Sequence, residues 1–276
     1  PEVVDAYTEP EDRNITSYIM EHHQRSQIGN ETIILYMLEW FKLPTNFNMT
    51  LWLSQILQGV GMKYAVEHWR RSMPRGMGTL YWQLNDCWPV ASWSSIDFYG
   101  NWKALHYMAR RFFAPILASV IEDPKTGSVE VHVTSDVRKQ KTGVLKWRLT
   151  NTSGKLLASN TLDCTIKPLA DNKVMGLQFA DHLKEYGPRN VLFWIDLSVD
   201  GSIVSQDVVF FARPKHLELP IPQFDTQVRE CGDGAFDVTV SASAPALWVW
   251  PDLSGVKATY SDRFFHLYPD EPATIK

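Results

Sequence analysis

The spacing of apolar residues changes at Pro115, and that change limits what this chain can become. Before it, apolar side chains recur at helical intervals; after it, they alternate with polar ones. A period of 3.6 sets one face of a helix on a core, and a period of 2 sets one face of a strand there. Ile33, Ile34, Tyr36, Met37, Trp40 and Phe41 fit a helix stopped by Pro44. Residues 48–72 read as a longer amphipathic helix, with Asn48 as its cap and Arg70 and Arg71 in the last turn, where cations suit the dipole. Gly59 and Gly61 in its middle imply close packing against a neighbour. A short helix fits "TSYIMEHHQRS". Trp102, Leu105, Met108 and Phe112 share one face of another over 102–113. Between them "MGTLYWQL" predicts a buried strand at 79–84. Helix, helix, strand, loop, helix is the order expected at the end of an α/β domain.

Beyond Pro115, "SVEVHVTSD", "TGVLKWRLTN", "KLLASNTLDCTIKPL", "KVMGLQF", "NVLFWIDLSVD" and "SIVSQDVVFFA" alternate between turn signals such as Asp200–Gly201. Short strands at this spacing predict an antiparallel sandwich. The Pro-rich stretch 213–222 reads as a linker. "GAFDVTVSAS", "PALWVWPDL" and the C-terminal segment then form a second, smaller β set.

Composition narrows the function. A formal net charge of −4 without a basic cluster argues against a nucleic-acid partner. No apolar run is long enough for a membrane span. Cys87, Cys164 and Cys231 lie too far apart for a CxxC metal site and read as buried or unpaired thiols. No phosphate loop, GxSxG elbow or HExxH appears, and no cofactor is expected.

The densest chemistry lies in "GTLYWQLNDCWPVASWSS", residues 78–95, with Trp82, Trp88 and Trp93 beside Gln83, Asn85 and Asp86. A flat apolar ring suits the C–H face of a sugar, and neighbouring amides and carboxylates suit its hydroxyls. A single tryptophan is more often core, so only the cluster at a strand end points to a site. In a (β/α)8 barrel that end carries the chemistry. A glycosidase needs two carboxylates, and Asp86 alone is not a pair. Glu21, Glu39 and Glu67 sit on helical patterns and read as solvated or paired. His22 and His23 are adjacent, about 100° apart on a helix, and do not converge on one metal. Sequons at Asn14, Asn30, Asn48 and Asn151 favour a secretory route.

The segment "GTLYWQLNDCWPVASWSSIDFYGNWKALHYMARRFFAP" resembles the last strand, loop and helix of the catalytic barrel in family 2 β-mannosidases. "HHQR" and "YMLEWFKLP" resemble preceding elements of the same enzymes, and "SDRFFHLYPDEPATI" their final strands. The resemblance implies a multidomain chain. Residues 1–116 would be the C-terminal part of a (β/α)8 TIM barrel, followed by two antiparallel immunoglobulin-like β-sandwich domains over 117–213 and 214–276. It implies a retaining exo-hydrolase of terminal β-D-mannose in manno-oligosaccharides or glycan cores, secreted or vacuolar/lysosomal, or else cytoplasmic. The family's Ser-Glu-Phe/Tyr-Gly segment, which supplies one of its two catalytic glutamates, does not occur in this sequence, and the one Asn-Glu pair here, Asn30-Glu31, belongs to a sequon and not to the family's acid/base segment, which the resemblance places before Pro1. No catalytic residue is therefore expected here, and an N-terminal part of the same enzyme is the expected partner. Trp82, Asn85, Asp86 and His23 are the expected substrate-binding residues. Two rival readings are a non-catalytic carbohydrate-binding or scaffold chain, and another family 2 activity such as β-galactosidase or β-glucuronidase.

Overall fold

A computed structural model describes residues 1–253, 256 and 258–276. The chain divides into two compact units, Pro1–Val66 with Thr79–Arg110, and Glu67–Gly78 with Arg111–Lys276.

The first unit is built on helices α1 (Glu2–Asp5), α2 (Tyr18–His22), α3 (Gly29–Trp40) and most of α4 (Phe47–Arg71) and α5 (Ala104–Phe112). Met20, Met37, Ile56, Leu105 and Met108 form its buried interior. The cap of α4 is Asn46, whose Oδ1 accepts from the Met49 amide at 2.9 Å, and not Asn48, which lies inside the helix. A Cβ at Gly59 would meet Met108 Sδ at 2.1 Å, so that glycine admits a neighbour; at Gly61 nothing lies within 4 Å.

The strand expected at 79–84 does not form. Trp82 and Leu84 lie at bends, and among the described residues no ladder flanks the segment; a strand requires a partner for its amides. Among the described residues its neighbourhood holds isolated bridges, Gln24 with Ala91, Asn85 with Ile96 and Ile96 with Trp102.

The second unit carries two immunoglobulin-like β-sandwiches. In the first, β1 (Ile116–Asp123), β2 (Ser128–Ser135) and β5 (Ala170–Gln178) form one antiparallel sheet. The facing sheet has the order β4-β3-β6-β7: β4 is Leu156–Ile166, β3 Lys141–Asn151, β6 Val191–Val199 and β7 Ser202–Phe210. Val131, Leu145, Trp147, Phe179 and Phe193 close the core between the sheets. Asp200 and Gly201, both at positive φ, make the tight turn that matches the twist of β6 and β7. A short helix α6 (Ala180–Tyr186), which the alternation gave no sign of, follows β5.

The second sandwich has β8 (Phe224–Gly232), β9 (Ala235–Ala242) and β12 (Ala273–Ile275) in the order β12-β9-β8. Its other sheet pairs β10 (Ala246–Val249) with β11 (Phe265–Leu267). The stretch read as a linker is docked: Leu217 packs with Leu192, Trp194 and Val208. Arg148, buried to 4% exposure, bridges the sandwiches. It donates to Asp196 at 2.6 Å and Glu271 at 2.5 Å, and stacks 3.7 Å over the Tyr268 ring. Arg70 and Arg71 end α4 on real acceptors, the Phe112 and Ala114 carbonyls with Asp136, and Ser119 Oγ.

Candidate functional site

Residues 79–106 of the first unit fold as an irregular segment, a loop and a return. Along the segment, Leu80, Trp82 and Leu84 point outward, Leu80 at 98% and Trp82 at 74% exposure, while Tyr81 and Gln83 are half-buried. That is period-2 geometry without a covering layer, and it rules out a core role for Trp82 within this chain. The peptide between Trp82 and Gln83 is cis. Ser95 anchors the inner side. Its Oγ accepts from Tyr81 at 2.9 Å, lies 3.0 Å from His106 Nδ1, and its amide donates to Gln83 O at 3.0 Å. Burial, aided by Arg110, lowers the His106 pKa.

Asp86 is 6% exposed and its carboxylate is fully engaged. Oδ1 accepts from Ser92 at 2.5 Å; Oδ2 takes Ser94 Oγ and, at 3.0 Å, the Lys103 ammonium. Lys103 also reaches Ser94 at 2.7 Å. Burial lowers the Lys103 pKa, and Asp86 opposes that shift. Asp86, expected to bind substrate, has its carboxylate oxygens committed within the loop. A carboxylate whose oxygens are spent on two hydroxyls and a cation braces a loop. Asn85 is exposed and its amide makes one long contact, 3.4 Å, to the Asp86 carbonyl.

His23 stands elsewhere on the same unit, and no ring contact joins it to Trp82 among the described residues. Its ring stacks on Tyr7 at 4.0 Å and on Trp88 at 4.6 Å. Nδ1 lies 2.6 Å from the Pro89 carbonyl, and the Ala91 amide donates to the His23 carbonyl at 2.8 Å. Burial pushes the Tyr7 pKa up to about 12, so the phenol stays neutral. Tyr7 had no signature in the sequence, since fifteen intervening residues separate it from His23. Ser92 and Ser94 did have one: alternate residues share a face in extended chain.

Among the four sequons, Asn30 is corrected. It is 4% exposed, its amide nitrogen donates to Ile15 O at 2.8 Å, and its oxygen accepts from Gln24 at 2.6 Å. A glycan cannot be added to a nitrogen sealed inside the unit. Asn14 and Asn48 are exposed and Asn151 is half-buried.

Two family models match in tandem: the mannosidase Ig/CBM-like domain over residues 127–216, and an Ig-fold domain named for mannosidases over 219–276. The β-mannosidase of Capra hircus is 30% identical over 92% of this chain and 31% of its own length. The crystal structure of a β-D-mannosidase from Dictyoglomus thermophilum superposes with a TM-score of 0.90 at 29% identity, covering 99% of this chain and 33% of that one. The chain belongs to the β-mannosidase family. It spans about one third of the length of the curated relatives it matches. The exo-chitosanase of Amycolatopsis orientalis, at 18% identity and a TM-score of 0.72 over 99% of this chain and 36% of its own, shares the fold.

Proposed function

We propose that this chain is the C-terminal portion of a retaining exo-β-mannosidase that removes terminal β-D-mannose from manno-oligosaccharides or glycan cores. Residues 1–116 complete a (β/α)8 barrel begun by an N-terminal part that carries both catalytic glutamates. Residues 117–213 and 214–276 are its accessory sandwiches. The observation that carries this reading is the likeness, over 99% of the chain, to a solved β-D-mannosidase at 29% identity.

The local chemistry supports it. Retention requires two carboxyl groups about 5–5.5 Å apart. The best-placed carboxylate of the 78–95 segment, Asp86, is committed to Ser92, Ser94 and Lys103. The acid and the nucleophile then come from outside this segment, and Trp82 contributes an apolar platform. Such a platform excludes water and strengthens the hydrogen bonds acting on an oxocarbenium-like transition state. The bare outward row of Leu80, Trp82 and Leu84 is the kind of face a further layer covers. Secretion or vacuolar/lysosomal residence would expose Asn14, Asn48 and Asn151 to glycosylation.

Joining these 276 residues to the N-terminal two thirds of the D. thermophilum enzyme, or co-expressing the two parts, tests the reading. Hydrolysis of p-nitrophenyl β-mannoside is expected from the combined protein and not from this chain alone. Activity of residues 1–276 by themselves would refute the division of labour.

A further inference from the structure

We infer that ordered water occupies a built site on the first sandwich, between the C-terminal end of α4 and the outer face of the β1-β2-β5 sheet, and joins the two. The site does not depend on the proposed activity. Val129, Val131 and Val133 of β2 point into the core, so the residues that alternate with them, Glu130, His132 and Thr134, line the outer face. The register sets Ser119 of β1 opposite His132, and Asp171 of β5 opposite Thr134. Glu67 and Arg71, at the end of α4, belong to the same compact unit as this sheet. Arg71 closes over the row: its Nη1 donates to Ser119 Oγ at 2.9 Å and lies 3.7 Å from Glu67 Oε2. Ser119 and Thr134 are 0% exposed, although both sit on the face turned away from the core.

Four polar atoms of this layer are buried and have no hydrogen-bond partner among the described residues: Arg71 Nε, His132 Nε2, Thr134 Oγ1 and Asp171 Oδ1. One such atom is costly, and four along neighbouring strands, closed off from bulk solvent, define a polar gap. Thr134 and Asp171 face each other on adjacent strands, where Cβ atoms stand about 5 Å apart, yet no bond joins them. That span is within the reach of a bridging water. The needs of the four atoms differ. Arg71 Nε only donates, the Asp171 carboxylate only accepts, and the Thr134 hydroxyl does both. His132 gives Nδ1 to Asp171 Oδ2 at 2.8 Å, and its Nε2 faces Glu130 Oε2 at 3.6 Å, beyond hydrogen-bond distance. Glu130 is taken by Lys173 at 2.6 Å, a bond that holds its pKa below the ordinary carboxylate value. Water satisfies donors and acceptors alike. A cation would meet Arg71, and an anion would meet Asp171 and Glu130, so neither suits the gap.

A crystal structure of the full-length protein that carries this chain tests the site. Ordered water is expected within hydrogen-bond distance of both Thr134 Oγ1 and Asp171 Oδ1. A metal or anion there, a direct bond between the two side chains, or no density between them would overturn the inference. Thr134→Val supplies a second reading, because valine keeps the shape and removes the hydroxyl. If water bridges to that hydroxyl, the substitution strands a buried acceptor, and the melting temperature should fall by roughly 2–4 °C, about the effect of one hydrogen bond. If the gap is dry, the hydroxyl has no bond to lose, and an unchanged or higher melting temperature would refute the bridge. Thr134→Ser keeps the hydroxyl and should keep the water in the crystal; its loss there would count against Thr134 as a ligand.

Discussion

Leu80-Tyr81-Trp82-Gln83-Leu84 and Leu145-Lys146-Trp147-Arg148-Leu149 share one pattern, Leu-x-Trp-x-Leu, and meet opposite fates. The second lies in β3 between β4 and β6, and its two leucines and tryptophan are buried. Among the described residues the first has no ladder partner, and it turns the same three side chains to solvent. Local sequence is nearly constant across the pair, so the difference comes from what the rest of the chain supplies: two neighbouring strands and a facing sheet in one case, neither in the other. Burial is a property of the neighbours as much as of the residue.

The comparison is sharpest at Trp147. Trp147→Ala should cost about 3–5 kcal/mol, since it opens a cavity beside Phe179 and Phe193; the denaturation midpoint of the chain reads it. Arg148→Ala should cost about 3 kcal/mol, because Asp196 is left with Gln206 alone and Tyr268 loses its cation. An unchanged midpoint would mean that the bridge between the sandwiches adds nothing net. In the first unit Asp86→Asn should cost roughly 2 kcal/mol, by leaving the Lys103 ammonium buried with weaker partners.

Two effects of pH have opposite signs. Tyr7 has a folded pKa near 12 against 10.0 for the ordinary phenol. The unfolded chain therefore loses that proton first, and stability falls as pH rises from about 10 to about 12. Tyr7→Phe should flatten that fall in a pH series of melting temperatures. Lys103 is lowered in the folded state, so unfolding takes up a proton below the usual lysine value, and this group's contribution improves as pH rises through that range. Lys103→Met should remove the improvement.

The smallest stability effect is expected at Trp82. At 74% exposure, Trp82→Ala should change the midpoint by no more than about 0.5 kcal/mol. In the combined enzyme the same change should lower kcat/KM by about 10- to 100-fold, if stacking there is worth about 1–3 kcal/mol as it is for bases. A steep loss of stability with unchanged turnover would return Trp82 to a packing role and dissolve the contrast with Trp147.

These two motifs also show how far the sequence could be read. The alternation of β2, β3 and β9 is visible residue by residue, because one face of each meets a core and the other is polar. It fails in β6, where Val191–Leu197 are buried without interruption. One face lies in the first core, and the other, with Leu192 and Trp194, meets Leu217 and residues of the second sandwich. Nothing local in "VLFWIDLSV" says that a second layer will arrive. Likewise 79–84 has strand composition but no partner, and β8, exposed throughout, lacks the apolar alternation that would mark it. At the site, Trp82 stood out by density and Asp86 by isolation. The role of Asp86 depended on Lys103, seventeen positions on, and the clamp on His23 depended on Tyr7 and Trp88 from either side of the sequence.

The double burial of β6 carries a consequence for the order of synthesis. Leu192 and Trp194 leave the ribosome before Leu217, and well before Tyr268, whose ring meets Trp194 at 5.5 Å. At roughly 5–20 residues per second, the outer face of a completed first sandwich stays bare for several seconds while its cover is translated. That interval is when a nascent chain is open to a chaperone or to a neighbouring nascent chain. Ribosomes stalled when His216 has just cleared the exit tunnel should therefore cross-link to chaperones through position 194, and ribosomes stalled after the whole second sandwich has emerged should not.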